Sequence, residues 1–505
     1  MILKFIQENN KIANNNLIKY LYLVITGSSL AFAFAPFNWF LVGAISVSIL
    51  FIISNNSTKY SKVFLNAIIY GFGFFLAGNY WIAISLLVDA KQHSWMIPFA
   101  ITLPPLYFAF YIGLACFCYK VTINKLKISN ISARILFFAI FWLLFEILRA
   151  NIFSGFPWNL IGYSWLFNIE IAQFASFFGV YGLSFLAIIT FLIPCYFIEI
   201  RDNKISYIDP KKLAICDKLF IIALLIFLLI LSLYGQNKIK NNKLIDKNYK
   251  IRIVQANIRQ DLKWDPIKMH DNIVSHINLS RNNNHDIDMV IWSEASIPYY
   301  VYNDKRLINF LNNAISEKSV LISGGLRKNN EQIYNSFFAI NNSAIIDYYD
   351  KQHLVPFGEY VPLKKYIPFI SKITNGAQDF SRGLENKIIK INNISITPLI
   401  CYEVIFSRYS RFTNIKNTDL IINVTNDGWF GNSNGPYQHL AMAQMRAIEF
   451  SRPLIRVANT GISAYIDPNG IIKNKLPLNY KGHIDVNLKT SNKNTFFNKI
   501  INLFY

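Results

Sequence analysis

Apolar residues crowd into one end of this chain. Between residues 17 and 234, runs of Leu, Ile, Phe, Val and Ala recur at near-membrane length, while the rest mixes polar and apolar residues in the ordinary way. A helix needs about 20 apolar residues to cross the hydrocarbon core of a bilayer. Inside that core its backbone groups must be satisfied within the segment itself. The runs at roughly 17–35, 38–54, 63–88, 95–119, 133–150, 169–200 and 217–234 therefore predict seven membrane-spanning helices. Leu219 to Leu231 is the clearest of them, an unbroken apolar stretch, and Pro36-Phe37 between the first two runs predicts a tight hairpin. A chain of 505 residues has room for a second domain. The expected division is a membrane domain over 1–234, a polar Asn/Lys-rich linker over 235–249, a soluble domain over 250–485 and a short tail over 486–505.

The formal net charge of +21 invites a nucleic-acid reading. The placement of the charge argues for a membrane instead, and no nucleic-acid partner is expected. Fourteen Lys and Arg residues fall in alternate loops, at 4–19, 59–62, 120–134 and 201–218, whereas the opposite loops carry only Lys91 and Arg149. Basic loops stay on the cytoplasmic side. The amino terminus is thus expected in the cytoplasm, and seven crossings put everything after Tyr234 outside, in the periplasm of a two-membrane bacterium. A competing reading makes the first run, with Ala31-Phe32-Ala33-Phe34-Ala35, a cleavable signal peptide. The long run and the second one directly behind it favour a retained span.

Polar groups in the apolar half have structural readings. Glu146 and Arg149, three apart on one helix near its end, are expected to pair with each other or to snorkel. The uncharged loop from Phe153 to Tyr163 reads as an interfacial aromatic belt. Cys116, Cys118, Cys195 and Cys216 read as small buried apolar residues, and no Cys/His cluster suggests a metal.

After the linker, strand-like runs recur at Ile251–Ala256, Asp288–Trp292, Val320–Ser323, Ser336–Ile340, Ile394–Ile400 and Leu420–Val424. Gln438–Phe450 reads as helix, with Arg446 and Glu449 placed to pair on one face. Strands alternating with helices predict an α/β domain. No glycine-rich phosphate loop is present, so a nucleotide is not expected.

Cys401, in Pro398-Leu399-Ile400-Cys401-Tyr402-Glu403-Val404, is the only cysteine after Cys216. A single thiol closing an apolar strand is a candidate nucleophile. Two more segments end β-like runs on chemically active residues: Val290-Ile291-Trp292-Ser293-Glu294-Ala295-Ser296, and Tyr349 to Tyr360, which contains Lys351. Glu, Lys and Cys in that order resemble the triad of the nitrilase, or carbon-nitrogen hydrolase, superfamily. Their attachment to a membrane domain resembles the apolipoprotein N-acyltransferase family. That resemblance spans nearly the whole chain, and its hydrolase part covers about 250–485. It implies an α-β-β-α sandwich behind the multi-pass α-helical domain, with Glu294, Lys351 and Cys401 as triad.

The resemblance also implies Glu359 and Glu403 as supporting acids, Tyr402 beside the thiol, Trp264 at a lipid entrance, Trp429 in a pocket wall within Asn426-Asp427-Gly428-Trp429-Phe430, and Asn335 on a nearby loop. Apolar residues after Lys351, from Val355 and Phe357 through Tyr366 to Ile367 and Phe369, read either as packing or as a lid that dips into lipid. Two departures stand out. Ser293 precedes the glutamate where the family often has proline. The tail holds only a short apolar run at Ile500–Phe504, so a last family span is expected to be truncated or the tail to lie at the interface.

A thiol attacks an ester as thiolate, and its free pKa of about 8.5 calls for a base or a cation nearby. Glu294 suits the base, Lys351 the cation, and a backbone N–H after Cys401 an oxyanion donor of the kind worth about 3–4 kcal/mol. The resemblance implies an acyl chain taken from a membrane phospholipid, phosphatidylethanolamine, held as a thioester and passed to the amine of a diacylglyceryl-cysteine at the amino terminus of an apolipoprotein. No metal or nucleotide cofactor is expected. Two other readings remain open at this point: a membrane-tethered amidase, and a transporter with a periplasmic sensor domain.

Overall fold

The computed structural model describes residues 16–501 apart from 202–203, 282–285, 303, 342–343, 367–371, 375–377, 385 and 408–414. The chain forms two units, Met1–Ala83 with Met96–Lys240, and Ile84–Trp95 with Asn241–Tyr505.

The first unit is helical, with long apolar helices at Asn16–Leu30, Phe40–Asn56, Tyr60–Asn79, Ile97–Lys125, Ile131–Asn151, Ala175–Phe191 and Ile215–Asn241. Among the described residues, five helical stretches are long and apolar enough to cross a membrane, and Leu17–Ala33 and Phe40–Asn56 are shorter apolar helices. Close approach is built with small residues, as membrane helices require. A Cβ on Gly27 would lie 1.9 Å from the Tyr70 carbonyl oxygen, and one on Gly73 would lie 2.1 Å from that of Val24. These contacts draw Asn16–Leu30 against Tyr60–Asn79. The Ser46 hydroxyl, with Thr26 O at 2.6 Å and Tyr70 Oη at 2.7 Å, fills the polar gap between helices.

Several expectations for this unit are corrected. The run at 63–88 does not continue as one helix. It stops at Asn79, and short helical pieces follow, one of them capped by the Asp89 side chain on the N–H of Gln92. Residues 84–95 in fact belong to the second unit. The run at 169–200 is not one helix: Ile169–Ala172 and Ala175–Phe191 are separate α-helices, a 3-10 turn follows over Ile193–Phe197, and Gly179 at φ +66° breaks the geometry of the second. The expected 235–249 linker is taken up by the end of Ile215–Asn241 and by a strand beginning at Ile245, with Lys238 and Lys240 in the last helical turn, where cations suit the helix dipole.

Glu146 and Arg149 bind loop backbone and, for Glu146, Trp142, with no direct ion pair between them among the described residues. Arg149 Nη1 donates to the carbonyls of Phe156 at 2.6 Å and Trp158 at 2.8 Å, and Glu146 Oε1 accepts from Ile161 N at 2.9 Å and Trp142 Nε1 at 3.1 Å. The two charges thus pin the 156–161 loop. Of the expected belt only the start faces outward: Phe153 is 88% exposed, whereas Trp158, Leu160, Ile161 and Tyr163 are buried. Of the four cysteines, only Cys116 and Cys195 are buried; Cys118 is half-buried, and Cys216 is exposed at the start of a helix whose flank faces outward.

The second unit is built from two sheets. Strands β1 (Ile198–Arg201) and β2 (Lys204–Tyr207) form a separate hairpin in the first unit. In the second, β3 (Ile245–Gln255), β4 (Met289–Ile291), β5 (Ile297–Tyr300), β6 (Val320–Asn329), β7 (Gln332–Ile340), β8 (Ile345–Asp350) and β15 (Gly482–Thr490) form one sheet in the order β15-β3-β4-β6-β7-β8, with β5 beside β6. β9 (Ile389–Ile391), β10 (Ile394–Ile400), β11 (Leu420–Thr425), β12 (Leu454–Ala458), β13 (Ser463–Ile466) and β14 (Ile472–Leu476) form the other, in the order β14 to β9.

Alternation along the strands decides what faces what. Ile251, Ile253 and Ile291 share one buried core with Ile396, Ile400, Ile422 and Val457, so the two sheets pack face to face. On the outer face of the first sheet, Val254, Val290 and Leu321 pack on Ile273 and Ile277 of helix Met269–Arg281. Helix Gly435–Phe450 lies against β12 of the second sheet, and its Arg446 and Glu449 pair at 2.9 Å as expected. The result is the α-β-β-α sandwich. The described part of the tail forms helix Phe496–Ile501 and packs back on this unit: Thr495 Oγ1 donates to Glu449 O at 2.6 Å and the buried Phe497 ring sits 5.8 Å from Phe450.

Candidate active site

Each of the three candidate residues follows the end of a strand. Glu294 comes three residues after β4, Lys351 directly after β8, and Cys401 directly after β10. Two of these turns are conformationally unusual. Cys401 sits at φ +49° and Ala295, next to Glu294, at φ +48°. L-residues rarely adopt that region, and such strain clusters at functional sites. Gly324 of β6 supports the Glu294 turn, since a Cβ there would lie 2.6 Å from Glu294 Cα.

The side chains converge on Lys351, which is only 1% exposed. Its Nζ donates to Glu359 Oε1 at 2.9 Å and lies 3.5 Å from Glu294 Oε1. Asn335 Nδ2 donates to the same two carboxylates, at 2.8 Å to Glu294 and 3.1 Å to Glu359. One cation and one amide thus hold two acids together out of water. Burial alone would push the Lys351 ammonium down, but Glu359, Glu294 and Cys401 outweigh it and hold it above the ordinary lysine value. The Cys401 thiol is pushed up to about 12, chiefly by burial and then by the Glu294 charge, against the pull of Lys351 and Thr425. Burial and the Glu294 charge thus favour the protonated thiol over the thiolate at rest.

Glu403 does different work. It is fully buried, and its Oε1 accepts from Tyr349 Oη at 2.9 Å, Gln352 N at 2.9 Å and His353 N at 3.1 Å, while Oε2 accepts from Ile400 N at 2.8 Å. It ties the Cys401 turn to the Lys351 segment. Tyr402 packs with Phe406 and His353, at ring distances of 5.1 Å and 5.6 Å. Trp264, on a loop, and Trp429, at the end of the 3-10 turn Asp427–Trp429, are half-buried, and among the described residues neither joins the hydrogen-bonded cluster around Lys351. In the apolar stretch after Lys351, Val361 is buried and Tyr366 exposed, while Ile367 and Phe369 lie outside the described residues.

Two groups around the site carry no local signal in the sequence. Lys263, 4% exposed, donates through Nζ to the Glu294 carbonyl oxygen at 2.7 Å. Behind Cys401 lies a buried ionic set. Asp427 pairs with Arg456 Nη2 at 2.5 Å and His439 Nδ1 at 3.0 Å and accepts from Thr425 Oγ1 at 3.2 Å. Arg456 Nη1 donates to Asn423 Oδ1 at 2.8 Å, and Asn423 Nδ2 donates to the Cys401 carbonyl at 3.3 Å. Burial would raise the Asp427 carboxyl, but Arg456 and His439 hold it down at about 2. A lysine beside a tryptophan reads as a solvated loop residue, and an arginine within Leu454–Ala458 reads as an oddity of an apolar strand. Only the sheet topology discloses their partners.

Residues 250–492 match the family model of carbon-nitrogen hydrolases, and residues 26–193 match that of the apolipoprotein N-acyltransferase N-terminal domain. The chain is 37% identical over 462 residues to the apolipoprotein N-acyltransferase of Rickettsia prowazekii, covering 89% of this chain and 88% of that protein. To the apolipoprotein N-acyltransferase of Rhodopseudomonas palustris it is 33% identical over 440 residues, covering 83% of this chain and 79% of the relative. A solved CN-hydrolase superfamily protein from Xanthomonas campestris is similar at 18% identity and a TM-score of 0.37, over 48% of this chain and 90% of that one.

Proposed function

The chain belongs to the apolipoprotein N-acyltransferase family, and on that premise we propose a two-step acyl transfer with Cys401 as nucleophile, Glu294 as base and Lys351 as the cation of the site. It is a membrane-embedded acyltransferase whose acceptors are lipoproteins. The tethered amidase and the transporter give way to this membership.

In the first step the Cys401 thiol passes its proton to Glu294, and the sulfur attacks an ester carbonyl of a phospholipid, phosphatidylethanolamine. The ester C–O bond breaks, the protonated Glu294 returns the proton to the leaving alkoxide, and a thioester remains on Cys401. In the second, the α-amine of a diacylglyceryl-cysteine attacks the thioester. Glu294 takes the amine proton, the C–S bond breaks, and the departing sulfur is reprotonated. Lys351 and a backbone N–H after Cys401 stabilise the oxyanion in both steps. Glu359 and Asn335 orient Lys351 and Glu294, Glu403 and Tyr402 shape the nucleophile's turn, and Trp264 and Trp429 line the approach of lipid. The membrane is the bacterial inner membrane, with the amino terminus in the cytoplasm and the sandwich in the periplasm.

The observation that carries this reading is the buried Lys351 ammonium, 2.9 Å from Glu359 and 3.5 Å from Glu294. That arrangement ties the carboxylate read as the base to the cation of the site, out of water. The test is the mass of the protein after exposure to phospholipid, with one acyl chain expected on Cys401 and none in Cys401→Ala.

A further inference from the structure

Lys263 is placed where a loop lysine has no ordinary reason to be. It lies between β3 and helix Met269–Arg281, 4% exposed, with its Nζ 2.7 Å from the Glu294 carbonyl oxygen. Among the described residues no carboxylate stands within salt-bridge distance of it. Burying an ammonium is costly unless it is paired. Among the described residues its hydrogen bond is to this carbonyl, and Glu294 is the acid that acts on it most strongly. The carbonyl it grips belongs to the turn that Gly324 supports closely and that bends through Ala295 at φ +48°. Glu294 is thus fixed through its backbone by Lys263 and through its carboxylate by Asn335 and Lys351.

We propose that Lys263 is a positioning residue for acyl transfer, which tethers the Glu294 turn toward Cys401 and supplies a second positive charge that favours the Cys401 thiolate. This inference rests on the reading of Glu294 and Cys401 as base and nucleophile.

The charge has a pH limit. Burial lowers the Lys263 ammonium to about 8, against the opposing pull of Glu294 and Cys401. It is therefore charged below that value and neutral above it. The titratable groups facing it are Glu294, Cys401 and His276. His276 is held at about 4, mainly by burial, so it stays neutral across the window that matters.

The experiment uses the full-length protein in detergent. Iodoacetamide labelling of the Cys401 peptide is followed by mass spectrometry from pH 6 to 10, beside acyl transfer to a diacylglyceryl peptide. In the wild type the labelling rate should climb with pH and then bend near 8, where Lys263 loses its charge. Lys263→Arg, charged throughout, should climb without the bend and retain transfer. Lys263→Met should label about tenfold more slowly at pH 7, the effect of one pKa unit. A Lys263→Met profile identical to wild type, or a bend that persists in Lys263→Arg, overturns the proposal. Cys401→Ala separates this from the reading beneath it. If that variant still transfers acyl chains, the nucleophile assignment fails and the inference with it. If it is inactive while Lys263→Met labels as wild type, the inference alone fails.

Discussion

The Glu403 carboxylate, two residues past Cys401, accepts a hydrogen bond from the backbone N–H of Gln352, the residue after Lys351, at 2.9 Å. One buried acid thereby joins the nucleophile's turn to the cation's segment, although the two lie far apart in sequence. Glu403→Ala would strand the N–H groups of Gln352, His353 and Ile400 in a dry interior. Each such group costs about 1–3 kcal/mol. The expected outcome is a loss of about 3 kcal/mol or more, read as a fall in Tm, together with loss of acyl transfer. An unaltered Tm would remove Glu403 from this linking role.

Asp427 gives a stability effect with a definite sign. Its folded carboxyl is held down at about 2, below an unfolded value of about 3.9. A depressed carboxyl contributes stability that is complete above the unfolded value and is lost as pH falls through the folded one. The expected contribution is about 2 kcal/mol at neutral pH, disappearing between about pH 4 and pH 2. Thermal unfolding of the wild type should fall steeply across that window. Asp427→Asn should start lower at pH 7 and fall less, and parallel curves would contradict the pairing with Arg456 and His439.

The two halves of the reaction can be separated by single-turnover assays that count acyl-enzyme before and after a diacylglyceryl peptide is added. Glu294→Gln should slow both halves by about 100-fold or more, because a positioned general base is worth that much and each half moves a proton. Trp264→Ala should form the thioester and then turn over poorly with the bulky acceptor. Rapid transfer by Glu294→Gln would exclude it as the shared base, and normal acceptor turnover in Trp264→Ala would reduce that tryptophan to packing.

Orientation follows from charge placement. Single-cysteine reporters at Lys125 and Lys211 should be shielded from a membrane-impermeant reagent in intact spheroplasts, while one at Lys240 should react. Labelling at Lys211 would reverse the proposed topology.

What was legible in the sequence depended on how local the signal was. Short Ile-rich runs such as Ile394–Ile400 announce buried strands, and that one matches β10 residue for residue. β15 carries no such signal, because its apolar residues alternate with polar ones and its partner β3 lies over two hundred residues upstream. Hydropathy does not register the Asp89 cap on a short helix or the break at Gly179, so the apolar runs there overshoot the helices. Glu294, Lys351 and Cys401 stood out through the motifs around them, yet their distances from one another are set by strand order. Lys263 and Arg456 gave no warning because their partners are supplied by other strands and turns.

The central claim is that Cys401 carries the acyl chain. Purified full-length protein incubated with phosphatidylethanolamine of defined chain length and digested for peptide mass spectrometry tests it directly. The account predicts one acyl chain on the Cys401 peptide, released by hydroxylamine as a thioester should be, and consumed when a diacylglyceryl peptide is added. Cys401→Ser should carry no such adduct, whereas changing Cys116, Cys118, Cys195 and Cys216 to Ala should leave it intact. An adduct on any other residue, or N-acylation that proceeds undiminished in Cys401→Ala, would contradict the account.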